Sequence, residues 1–130
     1  MQGGNDSYNL TFEQRNGYLY ARVEAETIDS DRALSYLREV YDECKRVKAR
    51  RLLLFRDIPV MLPDGPLFFV TTEFQKMIKG IKTAFVNPYL SNDEAFDFAI
   101  TVGTNRGADY RLFNKMDEAE RWLQEGAASA

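Results

Sequence analysis

The stretch RLLLFRDIPVMLPDGPLFFVTT, Arg51 to Thr72, decides the architecture. Leu52–Phe55 is an unbroken apolar run of strand length, as in a strand buried on both faces. Pro59, Pro63 and Gly65 tighten a loop after it. Pro66 then suits the first turn of a helix, where its missing N–H leaves nothing unpaired. A strand feeding a helix in this way is the repeating unit of an α/β sheet, and ligands and partners collect at the C-terminal ends of such strands. The loop carries a heavy apolar load. Ile58, Val60, Met61, Leu62, Leu67, Phe68 and Phe69 cannot all face one side of a short loop and helix. Met61, Leu62, Phe68 and Phe69 are the expected surplus, either folded over a neighbouring element or turned toward a partner. A contiguous exposed apolar patch marks an interaction site, and Phe and Met are enriched at interface cores.

Working outward, Tyr8–Gln14 and Tyr18–Glu24 alternate apolar and polar residues around Asn16-Gly17, a pair that favours the positive φ values of a tight hairpin. Leu19, Ala21 and Val23 form one face of the second strand, the core side. Tyr18 and Tyr20 form the other, as a second packing layer or a self-association surface. Asp29 can cap a helix in which Ala33, Leu34, Leu37, Val40, Tyr41, Cys44 and Val47 make one apolar stripe. Cys44 within that stripe reads as a small buried thiol; a reactive thiol would need exposure and nearby cations. Lys45, Arg46, Lys48, Arg50 and Arg51 complement the negative end of that helix, at about 0.3–1 kcal/mol each. No aromatic platform is interleaved with them, so they do not read as a nucleic-acid site.

Downstream, the helix from Pro66 to Lys79 is expected to bury Leu67, Val70, Phe74, Met77, Ile78 and Ile81, with Gly80 as its stop. Lys82–Asn87 reads as a second doubly buried strand. Ser91 and Glu94 have the form of a capping box ahead of a helix carrying Ala95, Phe96, Ala99, Ile100 and Val102. Asp109–Phe113 is a last strand. Asn114 is expected to cap a final helix with Met116, Ala119, Trp122 and Leu123 on one face. Met1–Asp6 and Gly126–Ala130 read as frayed ends. The order is ββαβαβαβα: an N-terminal hairpin, then parallel strands joined by right-handed crossover helices in a mixed sheet.

The 130 residues fit one domain, 1–130, with an ordered core of about 8–125. A net charge of −3 gives no general attraction to nucleic acid or anionic membrane. No apolar run reaches the ~20 residues of a transmembrane segment, and the polar start MQGGNDSY lacks a signal-peptide layout. With one cysteine there is no internal disulfide, and a reducing cytoplasm is the expected compartment. The chain contains no histidine. That removes Ser-His-Asp and Cys-His catalysis and leaves no donor set for zinc, copper or haem, so no metal and no cofactor is expected.

The element order, the ending RLFNKMDEAERWL at Arg111–Leu123 and the segment Arg51–Thr72 resemble the STAS-like fold of bacterial anti-sigma-factor antagonists, the SpoIIAA-like group. A lipid-carrier group with a Sec14-like domain shares the general topology. The resemblance implies a regulatory module that binds a protein partner and is switched by phosphorylating a serine in Asp-Ser-Ser/Thr-Gly-Leu at the start of a helix. The matching segment here is Pro63-Asp64-Gly65-Pro66-Leu67, with Leu67 on the family's leucine and Asp64 on its serine. No hydroxyl residue lies between Arg51 and Val70. An acidic residue expected just after the strand is met by Asp57 with a slip of about two positions. Asp64 reads as a helix N-cap or as a fixed negative charge where relatives place a reversible one.

The expected function is therefore a non-enzymatic protein–protein interaction module lacking the phosphorylatable serine. Its partner is another protein or a second copy in a homodimer, and its contact residues are Asp57, Met61, Leu62, Asp64, Phe68 and Phe69. The alternative is a binder of a lipid or apolar small molecule, with a pocket under the 57–69 loop lined by Met61, Phe68, Phe69, Tyr89 and Phe96. An enzyme would have only carboxylates such as Asp57 and Asp64, or a phenol such as Tyr89, to work with.

Overall fold

The N-terminal hairpin takes the form its residues demand. In the structure, a computed structural model that describes residues 8–89 and 109–125, β1 (Asn9–Arg15) pairs antiparallel with β2 (Tyr18–Glu24), with Arg15 opposite Tyr18. Gly17 takes φ +85°, which a side chain would resist. β3 (Arg51–Asp57), β4 (Lys82–Val86) and β5 (Tyr110–Phe113) follow in parallel, giving one five-stranded mixed sheet in the order β1-β2-β3-β4-β5. Three helices are described: α1 (Ser30–Val47), α2 (Asp64–Met77) and α3 (Met116–Gln124). The helix expected from Ser91 to Val102 lies outside the described residues, as do both chain ends.

Strand alternation sorts the side chains into two cores. Leu19, Ala21, Val23, Leu52, Leu54 and Phe85 pack against α1 and α2 on one face. Tyr18, Leu53, Ala84 and Val86 pack against Ala119 and Leu123 of α3 on the other. Tyr18 thus belongs to a second packing layer, and its hydroxyl donates to Glu120 at 2.5 Å. α1 follows its stripe, and Asp29 accepts from the Arg32 backbone N–H at 2.9 Å as a cap. Tyr36 is also buried there, a residue one position off the stripe. Cys44 is buried, and desolvation pushes its thiol up to about 12. The basic run is spent on helix ends. Lys45 and Arg46 lie in the last turn of α1, and Arg51 donates to the Leu123 carbonyl at 2.8 Å, at the end of α3.

Two caps differ from expectation. α2 opens at Asp64 rather than Pro66, with Pro63 at the N-cap and no side-chain cap bond. Asp64 therefore sits inside the first turn and does not cap it; its charge still favours the positive helix end. The first carbonyl bond, Leu67 N–H to Pro63 O at 2.9 Å, spans Pro66, whose absent N–H falls in the turn that needs none. Asn114 does not cap α3 either. Its side-chain amide donates to the Asn87 carbonyl at 3.1 Å, tying β5 to the end of β4, and Lys115 takes the cap position.

Candidate functional site

Alternation along β3 places Leu52, Leu54 and Arg56 on the α1/α2 face, and Arg56 is only 4% exposed. The guanidinium earns its burial by holding the loop: Nη1 donates to the Ile58 carbonyl at 2.9 Å and Nη2 to the Val60 carbonyl at 2.7 Å. With both carbonyls turned inward, the side chains separate. Ile58 and Leu62 are buried, Met61 is half-buried against the same core, and Val60 points outward. α2 continues the division, with Leu67, Val70 and Phe74 inside and Phe68 and Phe69 outside. Val60, Phe68 and Phe69, at 40%, 40% and 51% exposure, are the exposed large hydrophobic residues among the described residues. All three belong to this loop and helix. Asp64 is exposed one helical turn from Phe68.

The six residues singled out from the sequence are thus divided. Asp64, Phe68 and Phe69 share the outer side of α2, Met61 lies at the margin, and Leu62 is in the core. Asp57 lies elsewhere. It follows Leu53 and Phe55 on the α3 face of the sheet, where its carboxylate accepts from Arg22 Nη2 and from the Tyr89 hydroxyl, both at 2.6 Å. The Tyr89 hydrogen bond, then Arg22, hold this carboxyl below the usual range. The cluster joins the C-terminal ends of β2 and β3 to the chain leaving β4, and the Arg22 guanidinium also lies over the Phe55 ring at 5.4 Å. Val60 and Arg22 were not among the contact residues expected from sequence. The signal for Val60 was Arg56, a cation in the buried register of a strand, which must find carbonyls nearby.

The cavity beneath the loop is small. It holds about 40 Å³ between Met61, Leu62, Leu67, Val70, Phe74 and Phe85, with Tyr36 and Arg56 at its polar side. That is room for about one water molecule, against the ~300–1,000 Å³ of pockets that hold drug-sized ligands. Tyr89 is not part of its lining, and Phe96 lies outside the described residues. Among the described residues no group of three His, Cys, Asp or Glu side chains is placed to hold a metal ion, and no helix is long and apolar enough to cross a membrane. No family model and no curated protein matches this chain.

Proposed function

We propose that this chain is a STAS-like, SpoIIAA-like interaction module that works in a reducing cytoplasm by contact with a protein partner and catalyses no reaction. Its docking surface is Val60 with the outer side of α2. The observation that carries this reading is the confinement, among the described residues, of exposed large apolar side chains to that one segment. The segment is preset by Arg56 and backed by a solid core, so little ordering is left to be lost on binding. Asp64, at the position of the family's serine, gives the helix start a permanent charge, and the module is not switched by phosphorylation there. The carrier reading is weaker, because the space beneath the loop is about 40 Å³.

A photocrosslinking amino acid placed at Phe69 tests the proposal, with the exposed Glu118 of α3 as the control position. A discrete adduct from position 69 and none from position 118 is the expected result. Equal labelling from the two positions, or no adduct from either, would overturn the docking surface. Intact-mass detection of phosphate on residues 51–72 would overturn the constitutive reading.

A further inference from the structure

The sheet has a basic hollow at the end away from the 58–62 loop. The starts of β3, β4 and β5 lie side by side there. Arg51 is the register partner of Lys82, the Lys82 N–H donates to the Arg50 carbonyl at 3.0 Å, and the Thr83 N–H donates to the Asp109 carbonyl at 2.9 Å. Arg50, Arg51, Gly80, Lys82 and Asp109 line a solvent-open space of about 320 Å³. Three cations and one carboxylate leave this lining with two net positive charges, on a chain whose net charge is −3.

Capping accounts for only part of this charge. The end of α3 presents carbonyls with no helical partner. Arg51 Nε donates to the Leu123 carbonyl at 2.8 Å, and Lys82 Nζ donates to the Trp122 and Glu125 carbonyls at 2.7 and 3.1 Å. Both cations are thereby held in place, and Lys82 Nζ also lies 4.5 Å from the centre of the Trp122 ring. Donors are left over. The two terminal nitrogens of Arg51 bond to no described residue, and one hydrogen of the Lys82 ammonium is unused. The exposed Arg50 side chain makes no hydrogen bond or ion pair with any described residue, and Asp109 pairs with none of the three cations.

We infer that this hollow binds a small phosphate monoester whose organic part carries hydroxyl groups, with the phosphate on Arg50, Arg51 and Lys82. A phosphate monoester carries nearly two negative charges at pH 7, which match the charge of the lining. Guanidinium forks present paired N–H groups to phosphate oxygens. The space is larger than a bare phosphate fills and lies at the lower end of the ~300–1,000 Å³ of small-molecule sites. Asp109 supplies the acceptor that hydroxyl groups of the organic part need. Because α3 already fixes Arg51 and Lys82, little side-chain freedom is lost on binding. The site is separate from the docking surface on α2 and does not depend on it.

Titration of the full chain with ribose 5-phosphate, followed by amide NMR at low ionic strength in a buffer free of phosphate and sulfate, tests the site. Saturable shifts centred on residues 50, 51, 80, 82 and 109 are expected, with a Kd on the order of 1 mM or tighter. Inorganic phosphate is expected to bind the same amides ~10-fold more weakly, and ribose alone to leave them unmoved. Arg50→Gln is expected to weaken the ester ~10-fold or more while keeping the folded spectrum, because its side chain has no partner to lose. Lys115→Gln removes the same charge from an exposed position at the other end of α3 and is expected to leave the affinity unchanged. An absence of saturable shifts, or equal weakening by the two variants, overturns the site. Inorganic phosphate binding as tightly as the ester overturns the ligand class.

Discussion

Filling the void beneath the loop is the sharpest test of whether this protein is solid there. Val70, 4% exposed, lines a space of about 40 Å³, and Val70→Ile adds one methylene to it. Burying a methylene contributes about 0.8 kcal/mol. Removing the whole void would contribute at most ~1 kcal/mol at about 24 cal/mol per Å³. The lost rotamer freedom of the longer side chain takes back a few tenths of this. The net expectation is a stabilisation of about 0.5 kcal/mol, or ~2 °C in Tm for a chain of this size. Phe74→Ala supplies the opposite sign. Phe74 is 1% exposed and packs edge-on against Phe85 at 6.1 Å, so its loss should cost ~3–5 kcal/mol. Urea denaturation at constant m-value measures both. A Val70→Ile protein destabilised by more than ~1 kcal/mol would mean that the added carbon meets atoms, not space. A ligand seen by native mass spectrometry in wild type and absent from Val70→Ile would refute the reasoning altogether, because the void would then be a binding site.

Arg56→Lys keeps the charge but loses the fork that reaches two carbonyls. Hydrogen exchange across residues 58–62 should quicken ~10-fold or more, with a stability loss of about 2 kcal/mol. The Cys44 thiol should be silent to a disulfide reagent until the protein unfolds. Its folded value of about 12 exceeds the ~8.5 of an unfolded thiol, so its contribution to stability falls as pH rises between those values. Asp57 has the opposite sign: its folded carboxyl is lowered, so its contribution is full above the unfolded value of ~3.9 and is lost as pH falls through the folded one. Carbon-detected NMR titration should find the Asp57 midpoint below that of an unfolded Asp, and Tyr89→Phe should raise it.

What sequence could reveal here followed from local periodicity. The Asn16-Gly17 hairpin and the α1 stripe with its Asp29 cap express repeats of two and of 3.6 residues, the doubly buried strands express unbroken apolar runs, and each formed as read. What it could not reveal depended on a second element. Asp64 resembles a cap, but the chain puts Pro63 at the N-cap and Asp64 in the first turn. Asn114 has the chemistry of a cap, but a carbonyl at the end of β4 was closer. Leu62 and Val60 exchanged sides because the carbonyls bound by Arg56, not hydrophobicity, set the rotation of the loop. Asp57 was drawn to Arg22 and Tyr89, which are 35 and 32 positions away along the chain.

The described strands lie side by side in the order in which they are made. Such a sheet advances steadily from one edge to the other and never doubles back. Enzymes with open α/β sheets owe their clefts to a reversal, the place where neighbouring connections part to opposite faces and leave a gap above the strands. The order of the described strands contains no such reversal. In the interaction module proposed above, recognition falls to the convex exterior of a helix, where changing a few side chains can choose a new companion without disturbing the interior.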